Sequence, residues 1–168
     1  LCRRNLKTHT MTDTTAPVIT PEQMLEQWQG HRRLSRKTIE AFPEDKLFTH
    51  TIGGMRPFAE LAMEMINIAI PGIEGLVTGK WESFGNEEPP KTKKELLTLW
   101  DETTDHINKL WPLLAPERLQ VVEKAFNVFD GPNYWTLWYF IDNEVHHRGQ
   151  GYVYLRSLGI EPPPFWER

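Results

Sequence analysis

The sequence predicts an all-α fold, and more specifically an up-and-down four-helix bundle. Apolar residues recur at helical spacing in four long segments, capping signals stand at the segment ends, and strand-type alternation is essentially missing. Four amphipathic helices joined by one long irregular connection bury their apolar faces most economically against one another. A chain of 168 residues, 39% of them hydrophobic, is sufficient for one domain with its own core.

The first predicted helix begins immediately after Thr20. The Thr20 hydroxyl can cap the helix, Pro21 suits its first position, and Gln23 completes a capping box. A loose apolar stripe continues as far as Phe42. Because proline cannot continue a helix, we expect Pro43 to end it.

Two further helices are predicted in the middle of the chain. The first of them follows Pro57, extends to about Leu76 and is expected to kink at Pro71-Gly72. The other opens with a second capping box at Thr92-Lys93-Lys94-Glu95 and extends to about Leu114.

The last third of the chain contains an irregular segment and one long helix. Residues 115–131 lack a clean period and suit either a short helix or an extended segment packed on the bundle. The long helix is predicted from Asn133 to Leu158. Gly159 can adopt the left-handed conformation that ends a helix, and the prolines at 162–164 prevent its continuation.

Composition limits the location and the ligands of this protein. Residues 1–19 are expected to form a disordered or weakly ordered leader, and residues 20–168 a single helical domain.

The one cysteine, Cys2, cannot form an intramolecular disulfide or a Cys-based zinc cluster. A net charge of -4 opposes binding of nucleic acid, and no run reaches the roughly 18 apolar residues that would span a membrane. We therefore expect a cytoplasmic protein.

The long C-terminal helix carries the most informative residues for function. At about 100° per residue, a polar band interrupts one of its apolar faces. Asn143 and His147 in this band are four residues apart, the spacing by which one helix offers two ligands to a single ion. The two faces assigned to the interior consist of Trp138, Ile141, Val145 and Tyr152, and of Thr136, Phe140, Asn143, His147, Gly151, Tyr154 and Leu158.

Glu64 is the natural third member of this site. It has Leu61 and Ile68 as same-face neighbours on the helix that follows Pro57, so it borders the apolar stripe. A carboxylate, an amide and an imidazole form a mixed oxygen and nitrogen donor set. Such a set suits Mn²⁺, Ni²⁺, Fe²⁺ or Zn²⁺ with open positions for water.

Glu64, Asn143 and His147 can also have purely structural roles, and these alternatives remain open. His147 can be an ordinary buried histidine that donates to Glu64 or to a backbone carbonyl, and Asn143 an ordinary polar helix residue. Glu64 can be a helix-edge carboxylate that reaches solvent. His146 points about 100° away from His147 and is predicted at the surface. Tryptophans interpreted as core residues are Trp28, Trp100, Trp111, Trp135 and Trp138.

The segment Asn143-Glu144-Val145-His146-His147-Arg148-Gly149-Gln150, continued by residues 152–163, resembles the C-terminal signature of the DinB/YfiT-like family. That signature is a histidine, three residues, a second histidine and Arg-Gly-Gln, followed by a Tyr-Leu-Arg-like stretch, Leu-Gly and prolines. The segment Phe58-Ala59-Glu60-Leu61-Ala62 resembles the family's lead-in to its first metal-binding histidine. The resemblance extends over most of residues 20–166.

The resemblance implies a four-helix bundle in which three histidines hold a divalent metal in a cleft, often within a homodimer. It also implies thiol-dependent transferase or hydrolase chemistry for some members, and a link to stress. Carried over by position, His147 keeps the expected histidine. Asn143 stands where the first histidine of the last helix belongs, and Glu64 stands about where the earlier helix carries its histidine.

Two functions are therefore predicted. In the first, Glu64, Asn143 and His147 bind one divalent ion (Ni, Zn, Mn or Fe), which generates a nucleophile from water or a low-molecular-weight thiol. His146 or Tyr154 would assist as proton donor or orienting group. In the second, no metal is bound, and the same three residues form a buried network in a stress-related binding protein. A nucleic-acid-binding module ranks third because the charge balance opposes it.

Overall fold

Five α-helices make up most of the part of the chain that the structure describes. The structure is a computed structural model, and it describes residues 18–85 and 87–168. The helices are α1 (Pro21–Ala41), α2 (Glu44–Thr49), α3 (Phe58–Thr78), α4 (Lys93–Leu110) and α5 (Asn133–Ser157). The mainly helical class is thus confirmed. The predicted leader, residues 1–19, lies outside the described residues except for its last two.

Both predicted capping boxes are present. The Thr20 hydroxyl accepts from the Gln23 backbone N–H at 3.3 Å, and the Gln23 side chain accepts from the Thr20 N–H at 2.9 Å. Thr92 and Glu95 exchange the same two hydrogen bonds, of 3.1 and 3.2 Å, at the start of α4. Gly159 follows α5 with a φ of 74°, which is the left-handed conformation expected after a helix.

The segment that the sequence left open contains a β-hairpin. Its strands are β1 (Val122–Ala125) and β2 (Phe129–Pro132), which pair antiparallel. The expectation that strands are missing is therefore wrong, because two strands of four residues are too short to give a recognisable alternation. α4 ends at Leu110, four residues earlier than predicted, and two 3₁₀ turns, 111–113 and 116–120, lead to the hairpin. Proline at the start of each turn cannot donate the hydrogen bond that would continue an α-helix.

α3 is the central apolar helix. It is unbroken from Phe58 to Thr78 and includes Pro71, where a kink was predicted. Gly72 has a packing role, because a Cβ there would lie 2.6 Å from the ring of Phe140 on α5. Among the described residues, α3 is the one helix long and apolar enough to cross a membrane, with a mean hydropathy of 1.3, but 67% of that window is buried within the fold. A core helix of a globular protein has the same properties.

The four long helices pack against one another, and their buried apolar side chains form two clusters. α1 and α3 each pack against both α4 and α5, and the short α2 packs on α3. The largest fully buried side chains include Trp28, Arg32, Phe42, Phe58, Trp100, Phe140 and Tyr154. The up-and-down order of the helices stays a prediction.

Two predictions about the buried faces of α5 are wrong. Trp135, interpreted as a core residue, is 59% exposed, and Val145, assigned to an interior face, is 42% exposed. Glu144 faces α1 instead and is 2% exposed. Periodicity gives the angles between side chains on one helix, but the docking angle of the helix is decided by its neighbours.

Candidate functional site

The structure brings Glu64, Asn143 and His147 together where α3 packs against α5. Nε2 of His147 lies 2.9 Å from Oε1 of Glu64, and Nδ2 of Asn143 donates to the same oxygen at 3.4 Å. Asn143 and His147 are 8% and 5% exposed, whereas the Glu64 side chain is 35% exposed. The spacing of four on α5 places both side chains toward one carboxylate. We call these three residues the Glu64 cluster.

Arg56 is a further residue that contacts the Glu64 cluster, and the sequence did not indicate it. It lies in the connector between α2 and α3, and its guanidinium forms an ion pair with Oε2 of Glu64. Partial burial favours the neutral form of the Glu64 carboxyl, but hydrogen bonds from Arg56 and His147 outweigh burial and lower its pKa below the usual value. The carboxylate therefore stays ionised. No helical or strand periodicity links a loop residue to a helix face, so sequence spacing could not reveal this contact.

Tyr154 does not direct its hydroxyl at the Glu64 cluster. The side chain is fully buried, and its hydroxyl donates to the backbone carbonyl of Arg56 at 2.9 Å. Burial raises the pKa of Tyr154. Tyr154 thus holds the segment that carries Arg56, and its predicted role as proton donor or orienting group stays a prediction.

His146 is exposed, and it contacts the cluster through Gln150. Oε1 of Gln150 lies 3.1 Å from Nδ1 of His147, and Nε2 of Gln150 lies 3.3 Å from Nε2 of His146. The two imidazole rings are 5.0 Å apart and meet edge to face. One glutamine thus connects the buried histidine with the surface histidine.

Tyr139 is a second residue that the sequence analysis missed. It lies one helical turn before Asn143, so 139, 143 and 147 share a face of α5. Its ring packs at 4.5 Å from that of Phe129 on β2. Burial, and then the nearby negative charge of Glu64, raise the pKa of the Tyr139 phenol, which therefore remains a hydrogen-bond donor. The spacing of four residues between Tyr139 and Asn143 was the sequence signal that could have identified Tyr139.

The Glu64 cluster contains oxygen and nitrogen atoms of the kinds that bind divalent ions in proteins. Oδ1 of Asn143 is buried and has no hydrogen-bond partner among the residues that the structure describes. Such an orphaned oxygen calls for a ligand. In the structure the Asn143 atom that faces Glu64 is Nδ2, so Oδ1 would join the carboxylate oxygen and the imidazole nitrogen in a donor set after a rotation of the amide. No group of three His, Cys, Asp or Glu side chains suited to a metal occurs in residues 18–85 and 87–168, since the third position here is an amide.

A cleft of about 530 Å³ opens beside Glu64. Its walls are mostly apolar, with Arg56, Glu60, Glu64 and Asn67 as the polar side chains. The apolar lining consists of Phe48, Ala59, Met63, Ile68, Phe84, Pro89 and Pro90. This is the size and character of a pocket for a small organic molecule. Gly151 on α5 leaves no void, because the ring of Phe58 lies within 2.4 Å of where a Cβ of residue 151 would be.

On the other side of α5, a buried network attaches the helix to α1. Glu144 accepts from Nη1 of Arg32 at 3.1 Å and from Nε1 of Trp28 at 3.0 Å. Arg148 donates to Oγ of Ser35 at 3.0 Å and contacts Nδ1 of His31 at 3.0 Å. Burial raises the pKa of Glu144 despite the charge of Arg32. These bonds set the rotation of α5 that turns Asn143 and His147 toward α3.

Comparisons with known proteins agree with this fold. Similar solved structures include a DinB-like protein from Bacillus cereus ATCC 10987, 21% identical with a TM-score of 0.70 over 85% of this chain and 95% of that one. A DinB-like protein from Bacillus subtilis is 18% identical, with a TM-score of 0.68 over 87% of this chain and 99% of that one. A mycothiol-dependent maleylpyruvate isomerase is 14% identical, with a TM-score of 0.55 over 77% of this chain and 60% of that one. At these identities the similarity shows the fold alone.

A comparison of the sequence with models of protein families identifies the family of this chain. No curated protein matches it. The family model described as the DinB family matches residues 11–168, which is nearly the whole chain and includes every residue of the Glu64 cluster. The chain therefore belongs to the DinB family.

Proposed function

We propose that this protein is a metal-dependent enzyme of the thiol-dependent transferase or hydrolase type, with the Glu64 cluster as its metal site. One observation carries the proposal: Glu64, Asn143 and His147 meet within 2.9 to 3.4 Å beside an apolar cleft of about 530 Å³. Fold similarity to a mycothiol-dependent isomerase supports a thiol as the second reactant. A cytoplasmic homodimer completes the proposal, and light scattering at twice 19.7 kDa would check the dimer.

Each residue has a distinct role in this proposal. Glu64 and Asn143 offer oxygens, and His147 offers Nε2, to Ni, Zn, Mn or Fe. When bound, such an ion lowers the pKa of water or of a low-molecular-weight thiol and so supplies a nucleophile near neutral pH. Arg56 pairs with Oε2 of Glu64 and so fixes the position of the carboxylate. The apolar cleft excludes water around the substrate.

A second candidate is a metal-free, stress-related binding protein. The observation that favours it is the saturation of Glu64, whose carboxylate contacts Arg56, His147 and Asn143 at once. In this case the cluster is a buried polar network that ties α3 to α5. The same cleft would then bind a small molecule without chemistry.

Elemental analysis of the untagged full chain separates the two candidates. The enzyme requires close to one divalent ion per chain, and His147→Ala should remove it. His106→Ala is a matched control, because His106 lies 2.9 Å from Glu74 at the surface and should have no effect on metal content. Protein without metal, a thermal stability unchanged by chelator, and a destabilisation of about 1–3 kcal/mol by His147→Ala support the network instead. Metal that persists in His147→Ala contradicts the proposed site.

A further inference from the structure

We infer that Asn67 is a positioning residue whose two oxygen atoms fix one wall of the cleft, and that the cleft so formed takes a neutral, apolar ring compound. The inference rests on the proposed function, since this compound would be the apolar part of the substrate. The wall belongs to the connector between α3 and α4 and comprises residues 84, 85 and 87–90, and we call it the connector wall. The cleft is lined by Asn67 of α3 and by four residues of this wall, Phe84, Gly85, Pro89 and Pro90.

Pro71 leaves the backbone carbonyl of Asn67 free for a partner outside α3. In an α-helix the carbonyl of residue 67 accepts from the N–H of residue 71, and proline has no N–H. The Asn67 carbonyl accepts instead from the backbone N–H of Gly85, at 2.8 Å. The proline that was expected to kink α3 therefore provides an attachment point for the connector wall.

The side chain of Asn67 provides a second attachment. Its Oδ1 accepts from the backbone N–H of Glu87 at 3.2 Å. Gly85 permits this close approach, because a Cβ there would lie 3.1 Å from the Asn67 carbonyl oxygen and 3.3 Å from Oδ1. The ring of Phe84 stacks on that of Phe126 between the two strands, with centroids 4.5 Å apart. The connector wall is thus held by α3 and by the hairpin.

The polar groups that line the cleft are bonded within the protein, and this determines the kind of ligand. Arg56 and Glu64 neutralise each other as an ion pair. Both oxygens of Asn67 accept from the connector wall. Glu60, the remaining charged residue of the lining, is exposed to solvent. A ligand in the cleft therefore meets mainly apolar side chains, which favours a neutral ring compound over a charged one.

Titration of the full-length protein with N-phenyl-1-naphthylamine, a neutral apolar fluorophore, tests this inference independently of metal content. Asn67→Leu removes Oδ1 and should weaken fluorophore binding by about 3- to 10-fold, the change expected for one lost hydrogen bond. Asn67→Asp keeps an acceptor for the Glu87 N–H and should retain wild-type affinity. Ile19→Ser alters a separate apolar groove beside the start of α1 and should change nothing.

Pro71→Ala tests the backbone attachment by a measurement that a general loss of structure would not reproduce. The new N–H at position 71 would compete with that of Gly85 for the Asn67 carbonyl. Hydrogen exchange of the Gly85 amide, followed by NMR, should therefore become about 3- to 10-fold faster. The Glu95 amide, which donates to the Thr92 hydroxyl at 3.1 Å, is the control and should exchange at its wild-type rate.

The possible outcomes separate this inference from the proposed metal site. Equal fluorophore affinities of wild type and Asn67→Leu, or an unchanged Gly85 exchange rate in Pro71→Ala, would overturn the inference and leave the metal site standing. Failure of wild type to bind the fluorophore, or weaker binding by Ile19→Ser, would also overturn it. If metal is absent but both expected effects occur, the proposed enzyme is wrong and the role of Asn67 is supported.

Discussion

Glu64 on α3 and His147 on α5 are 83 residues apart in the sequence, yet Oε1 of one lies 2.9 Å from Nε2 of the other. The same carboxylate is held on its outer side by Arg56. Glu64 therefore stands between a buried imidazole and a half-exposed guanidinium. This arrangement makes Arg56 a competitor of any ion that binds the carboxylate.

Replacement of Arg56 tests that competition. Arg56→Gln frees Oε2 of Glu64, so we expect divalent metal to bind more tightly, as measured by calorimetric titration with Zn²⁺. Folding stability should change by less than about 1 kcal/mol in urea unfolding, because the pair is half exposed and screened by solvent. Weaker zinc binding in Arg56→Gln would show that the guanidinium supports the metal site and does not compete with the ion.

The buried pair between Arg32 and Glu144 should contribute far more to stability than a surface pair. Arg32→Met leaves the Glu144 carboxylate without its charge partner in the interior, and a cost of about 3–5 kcal/mol is expected in urea unfolding. Arg36→Met is the matched control, since Arg36 pairs with Asp101 at the surface and should cost less than about 1 kcal/mol. Similar costs for the two variants would contradict the burial argument.

His31 should make the stability depend on pH. Burial, followed by the charges of Arg148 and Arg168, lowers the pKa of His31 from 6.5 to about 4. As the pH falls, the unfolded chain binds a proton on His31 before the folded chain does. The free energy of unfolding is therefore unaffected by this histidine above pH 6.5 and decreases as the pH falls toward 4. The loss amounts to at most about 3 kcal/mol. His31→Gln should flatten the stability profile in that window, whereas the surface variant His106→Gln should not.

Two glycines of α5 should respond oppositely to alanine. A Cβ on Gly151 would lie 2.4 Å from the ring of Phe58, so Gly151→Ala should destabilise the fold by about 1–3 kcal/mol through overpacking. A Cβ on Gly149 meets nothing within 4 Å, and Gly149→Ala should stabilise α5 by about 0.5–1 kcal/mol. Thermal unfolding of both variants provides the comparison, and a stabilised Gly151→Ala would refute the close packing of Phe58.

The pairing of Asn143 with His147 was predictable from sequence because four residues on a helix give a fixed geometry. The placement of Glu64 beside them was also predictable, since its apolar neighbours Leu61 and Ile68 place it at the edge of a buried stripe. Arg56 and Gln150 were not identified as partners. Arg56 belongs to a connector without periodicity, whereas the spacing of three and four residues between Gln150 and the two histidines was a signal that the sequence analysis passed over.

The sequence by itself determined where α1 and α4 begin, through the hydroxyls of Thr20 and Thr92, and which side chains share a face of α5. These features depend on groups within one or two turns of each other. Only the tertiary structure decided that Glu144 faces the interior while Trp135 and Val145 face outward. The rotation of a helix depends on the partners it finds across the core, here Arg32 and Trp28 of α1, and those partners lie more than a hundred residues away along the chain.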